Sequence, residues 1–188
     1  SDYNQGLAIA DVAGHGISAA LHMASVQALL RTLIPTSTSP SDVVNHIHKL
    51  LVHNVRFSNF VTLFLASYNP TARVLRYANA GHNPPLLVGD GNGSFSLDWL
   101  RPTGAAIGLL EETHLTEASI ATHPGDVLVM YTDGITEAMN QDGEQYGYAR
   151  LAETVSRNVH SSASDLIQAI RADLLEFTAL QPLADDAT

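Results

Sequence analysis

The sequence predicts an α+β fold in which helices occupy both ends of the chain and antiparallel strands lie between them. Apolar residues recur at helical spacing in the first and last thirds, whereas the middle third consists of short β-type runs. Tight turns join these runs, and strands joined by tight turns are antiparallel, so the pattern is not a βαβ repeat. A chain of 188 residues fits one domain with a sizeable core, although length alone leaves two small domains open.

The first third is predicted to contain one strand and two helices. Residues 6–10 form a short apolar run that is typical of a buried strand. Residues 17–34 are apolar on nearly all sides, which favours a buried helix, and Pro35 ends it. Ser39–Asp42 supplies an N-cap serine, a proline at the first helical position and an acidic third residue. A second helix is therefore expected to run to about Val55.

The middle and last thirds are predicted to be strands followed by helices. The expected strands are residues 60–68, 73–78, 86–88, 94–97, 115–121 and 126–132. Asp90–Gly93 has the composition of a hairpin turn. Helices are expected over residues 148–159 and 165–177, and Ser162 with Asp165 forms a capping-box pattern before the second of them.

Composition and charge exclude several classes of function. Hydrophobic residues make up 45% of the chain and charged residues 15%, which is typical of a globular protein. The absence of cysteine excludes disulfides, thiolate nucleophiles and cysteine-ligated zinc, and it suits a reducing compartment, so we expect a cytoplasmic protein. A net charge of −10 without a Lys/Arg cluster argues against nucleic acid and anionic membranes as partners. No apolar run reaches the roughly eighteen residues of a membrane span and no signal peptide is visible, so we expect no membrane in this segment.

The stretch Asp11–Gly16 joins the first predicted strand to the first predicted helix. A carboxylate at a strand end, followed by a small-residue turn and a helix, can hold a charged group at the rim of a core. Two glycines in the turn, Gly14 and Gly16, let the backbone approach whatever the carboxylate binds. From this stretch alone, an aspartate that binds some group and one that merely starts a turn or caps a helix both remain open.

Acidic residues stand at three predicted strand boundaries: Asp11, Asp133 and the pair Asp185–Asp186. If the strands share a sheet, their ends can bring these carboxylates together, and such a cluster repels itself unless cations occupy it. Hard divalent ions such as Mg²⁺ and Mn²⁺ take oxygen ligands and keep several waters, so a few carboxylates suffice. Two ions about 3.5–4 Å apart can bridge a water, lower its pKa and direct it at phosphorus.

Two other kinds of site are absent from the sequence. It contains no serine nucleophile elbow and no phosphate-binding glycine loop followed by Lys-Ser/Thr. Triad hydrolases and P-loop proteins are therefore excluded. No arginine stands beside an acidic motif, so phosphate binding is expected to depend on metal ions.

Five motifs in order resemble a known family. They are Asp11–Gly16 (DVAGHG), Tyr77–Pro85 (YANAGHNPP), Pro124–Leu128 (PGDVL), Tyr131–Ala138 (YTDGITEA) and Asp185–Thr188 (DDAT). Together they resemble the SpoIIE/RsbU-type branch of the metal-dependent serine/threonine phosphatases (PPM, protein phosphatase 2C-like). Each motif is weak alone, but all five occur in order across residues 6–188.

The resemblance implies a fold and a metal site. The fold would be a four-layer α-β-β-α sandwich, in which helices flank two antiparallel sheets, with a site for two Mn²⁺ or Mg²⁺ ions at one end of the sheets. Asp11 would bridge the two ions, the Val12 carbonyl would bind the second, and Asp133 and Asp185 would bind the first. Asp185 is preferred to Asp186 because the family's last ligand is the first residue of its Asp-Asp/Asn-x-Thr signature. The attacking group would be hydroxide held between the metals, without a phosphoenzyme intermediate, which makes the three aspartate ligands the catalytic residues.

Two family features are missing from the chain, which is interpreted as one phosphatase domain over residues 1–188, truncated at both ends. Family members begin with a strand that carries a Gly-Gly-Asp type motif, whose acidic residue helps to form the metal site. Nothing upstream of Asp11 matches this motif, and Asp2 stands too close to Asp11 to replace it. The strand expected after Thr188 is absent as well.

Several polar side chains in or beside the motifs have two interpretations. His15 could act as an acid or base near neutral pH, but a role in fixing the turn is favoured. His82 is assigned mainly to loop architecture, with a place near the substrate as the alternative. Thr136 and Glu137 could support the metal ligands, although a cap of the short helix there is favoured. Three other histidines are expected on a solvated surface rather than at a zinc site: His46, His48 and His53.

The resemblance implies a metal-dependent phosphoprotein phosphatase that hydrolyses phosphoserine or phosphothreonine in bacterial signalling. The implied partners are a phosphorylated protein substrate, often a small anti-sigma-factor antagonist, and an upstream sensor or receiver domain. Regulation is expected through the helices after Gly16 and often through a homodimer. The alternative is a pseudophosphatase that keeps the fold and binds a regulatory partner without hydrolysis. Retention of Asp11, Asp133 and Asp185 favours the enzyme.

Overall fold

Seven strands, five α-helices and one short 3-10 helix make up the part of the chain that the computed structural model describes. The described residues are 4–14, 16–54, 60–89, 95–179, 181 and 185–188, without the side chains of residues 53 and 54. The strands are β1 (Gln5–Val12), β2 (Val61–Asn69), β3 (Val74–Ala80), β4 (Leu86–Gly89), β5 (Ser96–Trp99), β6 (Ala118–Ala121) and β7 (Val127–Val129). The helices are α1 (Ile17–Leu33), α2 (Pro40–Asn54), α3 (Asp133–Thr136), α4 (Gly147–Arg157) and α5 (Ala163–Phe177), and the 3-10 helix covers Ile34–Thr36.

Two compact units share these elements. The first unit comprises Ser1–Pro84 and Arg101–Thr122, and the second comprises Pro85–Leu100 and His123–Thr188. The first unit holds an antiparallel sheet of four strands in the order β1-β2-β3-β6, and the second holds an antiparallel sheet of three strands in the order β5-β4-β7. The predicted α+β class, with antiparallel strands and helices, is therefore confirmed. The predicted hairpin turn at 90–93 lies outside the described residues.

The register of β1 and β2 sets the position of the Asp11 motif in the first unit. The two strands pair from Gln5 opposite Tyr68 to Val12 opposite Val61, which places Asp11 opposite Thr62. Beyond the last pair, the Ala13 N–H donates to the Phe60 carbonyl oxygen at 2.9 Å. The motif therefore begins on a strand that is hydrogen-bonded up to its final residue.

The core of the first unit lies between α2 and the sheet. Apolar side chains on one face of α2 recur at helical spacing and are buried, namely Val43, Val44, Ile47 and Leu51. The predicted N-cap of this helix is confirmed, because the Asp42 N–H donates to Ser39 Oγ at 3.1 Å. The Asn45 amide donates to the Leu115 carbonyl oxygen at 2.9 Å and accepts from the Leu115 N–H at 3.0 Å. This pair of bonds ties α2 to the segment that leads into β6.

The prediction that the first helix is buried on all sides is wrong. Val26 is its only fully buried residue, whereas Ile17 and Leu21 are 83% and 62% exposed. One stripe of α1, which includes Met23, Leu29 and Leu33, packs against the core of the first unit. Many residues of the opposite stripe are alanine or serine, so the apolar composition of this helix does not require burial on every side.

The expectation that no segment is apolar and long enough for a membrane span fails for one stretch. Among the described residues, Ile17–Thr36 is 20 residues long with a mean hydropathy of 1.3, which meets the criteria of length and composition. A single such helix is weak evidence for a span, because core helices and signal sequences meet the same criteria.

In the second unit, α4 and α5 build a core with β4. Its buried members are Leu86, Val88, Tyr131, Ala138, Tyr146, Leu151, Val155, Val159, Leu166, Ile170 and Leu174. The predicted cap of α5 is confirmed, because the Asp165 N–H donates to Ser162 Oγ at 3.1 Å. The Asp165 carboxylate accepts from the Ser162 hydroxyl at 2.7 Å. The last predicted strand, 126–132, is shorter than expected and ends at Val129.

A polar cluster joins α4 to α5. The Arg150 guanidinium donates two hydrogen bonds to the Asp173 carboxylate, each of 2.9 Å. The Tyr146 hydroxyl donates to Asp173 Oδ2 at 2.5 Å, and the Thr154 hydroxyl donates to the same oxygen at 3.1 Å. Arg150 also lies over the ring of Phe177, with 4.9 Å between the guanidinium carbon and the ring centroid.

Candidate metal centre

Asp11 is the second-to-last residue of β1, where the strand is still paired with β2. Its Oδ1 accepts a hydrogen bond of 2.8 Å from the backbone N–H of Val12. Val12 is 7% exposed and belongs to the core of the first unit. A carboxylate held by a backbone N–H next to a buried residue has a restricted orientation, which suits a ligand more than a solvated surface group.

The turn after Asp11 contains two glycines with positive φ values. Gly14 and Gly16 have φ values of 97° and 86°, a region that side-chain-bearing residues rarely adopt. A Cβ at Gly16 would meet nothing within 4 Å, so backbone conformation rather than space requires glycine there. His15 lies outside the described residues, and its assigned role in the turn stays a prediction.

His82 lies in the loop after β3 and contacts the strand opposite Asp11. It is 1% exposed, and its Nδ1 is 2.9 Å from the hydroxyl oxygen of Thr62. The Thr62 hydroxyl also lies 3.4 Å from the Asp11 carbonyl oxygen. The Asn79 side chain accepts from the His82 N–H at 2.8 Å. These contacts support the predicted architectural role of His82 and connect its motif to the end of β1.

The second unit carries Asp133 and Asp185. Asp133 is the first residue of α3, and its carbonyl oxygen accepts from the Glu137 N–H at 2.8 Å. Its Oδ1 is buried and has no hydrogen-bond partner among the described residues. Buried carboxylate oxygens normally have a partner, so this atom could bind a group that protein atoms do not supply, although Asp126 Oδ1 and Glu117 Oε2 are buried in the same way.

The C-terminal residues pack onto the turn that contains Asp133. The Thr132 hydroxyl donates to the Asp186 carbonyl oxygen at 2.8 Å and accepts from the Thr188 N–H at 3.0 Å. A Cβ at Gly134 would lie 2.5 Å from the Asp186 carbonyl oxygen and 3.2 Å from that of Asp185. Asp133 and Asp185 therefore belong to backbone segments that are in contact within the second unit.

The two aspartates of the C-terminal motif are in different settings. The backbone carbonyl of Asp186 is bound by Thr132, while Asp185 Oδ1 accepts from the Asp186 N–H at 2.8 Å. Both residues are exposed. The contact made by the Asp186 backbone agrees with a structural role for that residue, and Asp185 stays the predicted ligand.

The remaining sequence candidates have structural or surface positions. Thr136 is buried and its hydroxyl lies 3.4 Å from the Asp133 carbonyl oxygen, while Glu137 is the C-cap of α3. His46 is exposed as predicted. The prediction of a solvated surface is wrong for His48, which is 3% exposed and accepts from the Gly108 N–H at 3.4 Å. The side chain of residue 53 lies outside the described residues.

The donor chemistry of the predicted ligands suits a hard divalent cation. Asp11 and Val12 belong to the first unit, and Asp133 and Asp185 to the second. Among the described residues, no group of three or more His, Asp or Glu side chains is placed to hold a metal ion. All predicted ligand atoms are nevertheless oxygens, which Mg²⁺ and Mn²⁺ prefer. Of the side-chain atoms of the predicted ligands, Asp133 Oδ1 is the one that is buried without a hydrogen-bond partner among the described residues.

Sequence reasoning missed Thr62 and Thr132, which hold the segments around the predicted ligands. Thr62 stands opposite Asp11, and Thr132 stands directly before Asp133. In the sequence, the one indication for Thr132 is its position directly before the predicted ligand Asp133. The pairing of Thr62 with Asp11 required knowledge of the strand register.

The family model described as Stage II sporulation protein E (SpoIIE) matches residues 1–188. The chain is 32% identical over 184 residues to phosphoserine phosphatase RsbU of Bacillus subtilis (strain 168). That alignment covers 97% of this chain and 53% of RsbU, so the chain spans about half the length of this relative.

Two solved structures share the fold. The SiaA-PP2C domain of Pseudomonas aeruginosa has a TM-score of 0.83 at 20% identity, over 97% of this chain and 72% of that one. The catalytic domain of the serine threonine protein phosphatase PstP, in complex with 2 manganese ions, has a TM-score of 0.61 at 17% identity, over 93% and 85%. At these identities the likeness establishes a PP2C fold and nothing further. Because the family match extends over the whole sequence, the chain belongs to the SpoIIE family.

Proposed function

We propose that this chain is the catalytic domain of a metal-dependent phosphatase that removes phosphate from phosphoserine or phosphothreonine in a protein. Membership of the SpoIIE family supports this proposal, as does the 32% identity to a relative named phosphoserine phosphatase. The structural observation that carries it is the buried, unpartnered Oδ1 of Asp133 beside the anchored segment of Asp185.

Four residues would hold two Mn²⁺ or Mg²⁺ ions. Asp133 and Asp185 would bind one ion, Asp11 would bridge both, and the Val12 carbonyl would bind the other. The all-oxygen donor set supports this assignment, as does the presence of 2 manganese ions in the PstP structure that shares the fold. When bound, such ions lower the pKa of water to supply a nucleophile and offset the negative charge of the phosphate.

The chain's own residues would orient these ligands before any ion binds. The Val12 N–H holds the Asp11 carboxylate, and the Ala13–Phe60 hydrogen bond fixes the end of β1 that carries it. Asp133 is fixed by its position as the first residue of α3, whose backbone bond to Glu137 closes the turn. Ligands that are held in place lose little conformational entropy on binding, so each unit would offer its own ligand oxygens in a restricted orientation.

The proposed setting is bacterial signalling. The substrate would be a phosphorylated protein of the anti-sigma-factor antagonist type, and an upstream sensor or receiver domain would control activity, with a homodimer as one form of the active protein. Family membership and the relative RsbU support this setting.

The test measures phosphate release from a phosphoserine peptide by the full natural protein that carries this chain, with Mn²⁺ present. Wild type is expected to release phosphate, and the activity is expected to fall at least about 100-fold in Asp11→Asn and in Asp133→Asn, because each loses a charged ligand. Asp98→Asn is the matched control, since Asp98 is an exposed aspartate on β5 outside the proposed site.

Two results would contradict the proposal. Undiminished phosphate release by Asp11→Asn or Asp133→Asn would contradict the proposed two-metal site. A wild-type protein that binds a phosphorylated partner but never releases phosphate, with Mn²⁺ or Mg²⁺ present, would instead favour the pseudophosphatase.

A further inference from the structure

The hydroxyl of Thr132 has an unusual use for a residue at the start of a helix. Thr132 is the N-cap of α3, and an N-cap threonine ordinarily accepts a hydrogen bond from a backbone N–H in the first helical turn. Here its side chain makes no such cap. The hydroxyl bonds to the C-terminal residues instead.

Three hydrogen bonds join Thr132 to the C-terminal residues. Its hydroxyl donates to the Asp186 carbonyl oxygen at 2.8 Å and accepts from the Thr188 N–H at 3.0 Å. Its backbone N–H donates to the Thr188 carbonyl oxygen at 3.2 Å. Thr132 is 6% exposed, so water competes little for these groups.

Gly134 has no side chain, which allows the backbone of Asp185 and Asp186 to lie close to the start of α3. A Cβ at this position would lie 2.5 Å from the carbonyl oxygen of Asp186 and 2.9 Å from its carbonyl carbon. Such distances are far inside van der Waals contact, so the backbone of Asp185 and Asp186 could not stay in place against a side chain there.

Residues 185–188 form neither helix nor strand, so specific contacts must fix their position. Asp133 follows Thr132 directly. Asp185 directly precedes Asp186, whose carbonyl oxygen accepts a hydrogen bond from the Thr132 hydroxyl. One side chain therefore links the segments of two predicted ligands that are far apart in the sequence.

We propose that Thr132 is a positioning residue for the metal site, in that its hydroxyl fixes the segment of Asp185 against the turn of Asp133. This inference rests on the proposed function, which makes these two aspartates ligands of the same ion. Removal of the hydroxyl leaves the Asp186 carbonyl and the Thr188 N–H without these bonds, so only the backbone bond from the Thr132 N–H to the Thr188 carbonyl still holds the segment of Asp185 against the turn of Asp133.

The test compares Thr132→Val with Thr132→Ser in the full natural protein. Valine has the shape of threonine without the hydroxyl, whereas serine keeps the hydroxyl. Mn²⁺ affinity is measured by isothermal titration, and hydrogen exchange at the Thr188 amide is measured without metal. Thr132→Val is expected to bind Mn²⁺ about tenfold more weakly and to exchange the Thr188 amide faster, whereas Thr132→Ser is expected to stay within about twofold of wild type.

Thr122→Val is the matched control. It removes a hydroxyl that bonds a backbone carbonyl, that of Arg73, in the first unit, at the end of the sheet opposite to Asp11. If Thr132→Val fails to fold, Gly134→Ala provides a second variant that keeps the hydroxyl but places a methyl group against Asp186. It is expected to weaken Mn²⁺ binding in the same direction, and unchanged binding by this folded variant would contradict the inference.

The outcomes separate the inference from the proposed function. A wild-type protein that binds no Mn²⁺ would overturn the proposed function. Normal Mn²⁺ binding by both wild type and folded Thr132→Val would overturn the inference alone. Equal losses in Thr132→Val and Thr132→Ser would also overturn it, because the hydroxyl would then not be the responsible group.

Discussion

The hydroxyl oxygen of Thr62 lies 2.9 Å from Nδ1 of His82, and this contact joins the loop after β3 to the strand that faces Asp11. The same hydroxyl lies 3.4 Å from the Asp11 carbonyl oxygen. A threonine hydroxyl carries one hydrogen, so it donates to one of these neighbours at a time. If it donates to the Asp11 carbonyl, His82 Nδ1 is the donor to Thr62.

Thr62→Val is expected to lower the free energy of unfolding by about 1 kcal/mol, because the variant leaves the buried His82 without its bond to the hydroxyl. Denaturant unfolding measures this change. Thr62→Ser keeps the hydroxyl and is the control, with an expected loss near zero. Equal stabilities of the valine and serine variants would show that the contact contributes nothing measurable.

Asp133→Asn is expected to weaken metal binding without lowering the stability of the metal-free chain. Without metal, its free energy of unfolding should not fall below that of wild type, because the Oδ1 of the native carboxylate is buried without a partner. With Mn²⁺ at about 100 times its dissociation constant, wild type should gain about 2.7 kcal/mol and the variant much less. Thermal unfolding with and without Mn²⁺ measures both effects.

The opposite pattern would contradict this account. A loss of several kcal/mol in Asp133→Asn without metal would show that the carboxylate is a structural group of the folded chain. An equal gain from Mn²⁺ in wild type and variant would show that the ion binds elsewhere. Asp98→Asn, an exposed change on β5, controls for the loss of one negative charge.

Local patterns in the sequence predicted most of the helices and strands, and they placed Asp11 near the end of a strand. They also placed Asp133 directly after a strand, but β7 ends at Val129 and Asp133 begins α3. Contacts between distant segments could not be predicted in the same way. The bond from Thr132 to Asp186 joins residues 54 positions apart, and no local rule selects that pair. The predicted grouping of Asp11 with Asp133 and Asp185 rested on their places at predicted strand boundaries and on family resemblance, and it stays a prediction.

Two wrong predictions, a solvated His48 and an α1 buried on all sides, have physical explanations. The burial of His48 follows from its helical spacing, since it lies four residues after Val44 and three before Leu51 on the buried face of α2. The partial exposure of α1 could not be predicted, because alanine and serine fit both a core and a surface.

Asn45→Ala is expected to destabilise the chain by about 2 kcal/mol. The Asn45 amide makes one hydrogen bond to the Leu115 carbonyl and one to the Leu115 N–H, and truncation leaves both backbone groups without these bonds. Denaturant unfolding measures the loss. Gln168→Ala, which truncates an exposed amide on α5, is the control and should change stability by less than about 0.5 kcal/mol.

If Asn45→Ala and Gln168→Ala lost equal stability, the bonds to Leu115 would contribute no more to the free energy of unfolding than an exposed amide does. The position of α2 against the segment before β6 would then depend on its buried apolar face alone. That face includes Ile47 and Leu51, which are retained in the variant.

The stability of the second unit is expected to depend on pH through Asp173. The Arg150 guanidinium donates to its carboxylate and, with the Tyr146 and Thr154 hydroxyls, lowers the pKa of Asp173 to about 2 against the opposing effect of burial. A carboxyl group whose pKa is lower in the folded than in the unfolded chain stabilises the fold once it is ionised. This contribution is complete above about pH 4, the ordinary range of an aspartate, and is lost as the pH falls towards 2.

Asp173→Asn tests this dependence, because it removes the titrating group and keeps the shape of the side chain. Between about pH 4 and pH 2, wild type should lose about 1 to 2 kcal/mol more stability than the variant, a value that allows for solvent screening of the part-exposed Arg150. Denaturant unfolding at pH 6, 4, 3 and 2 follows the difference, which cancels the titration of the other carboxylates. A difference that stayed constant across this range would mean that Asp173 has the same pKa in the folded and unfolded chains. The hydrogen bonds from Arg150 would then stabilise the carboxylate no more than water does.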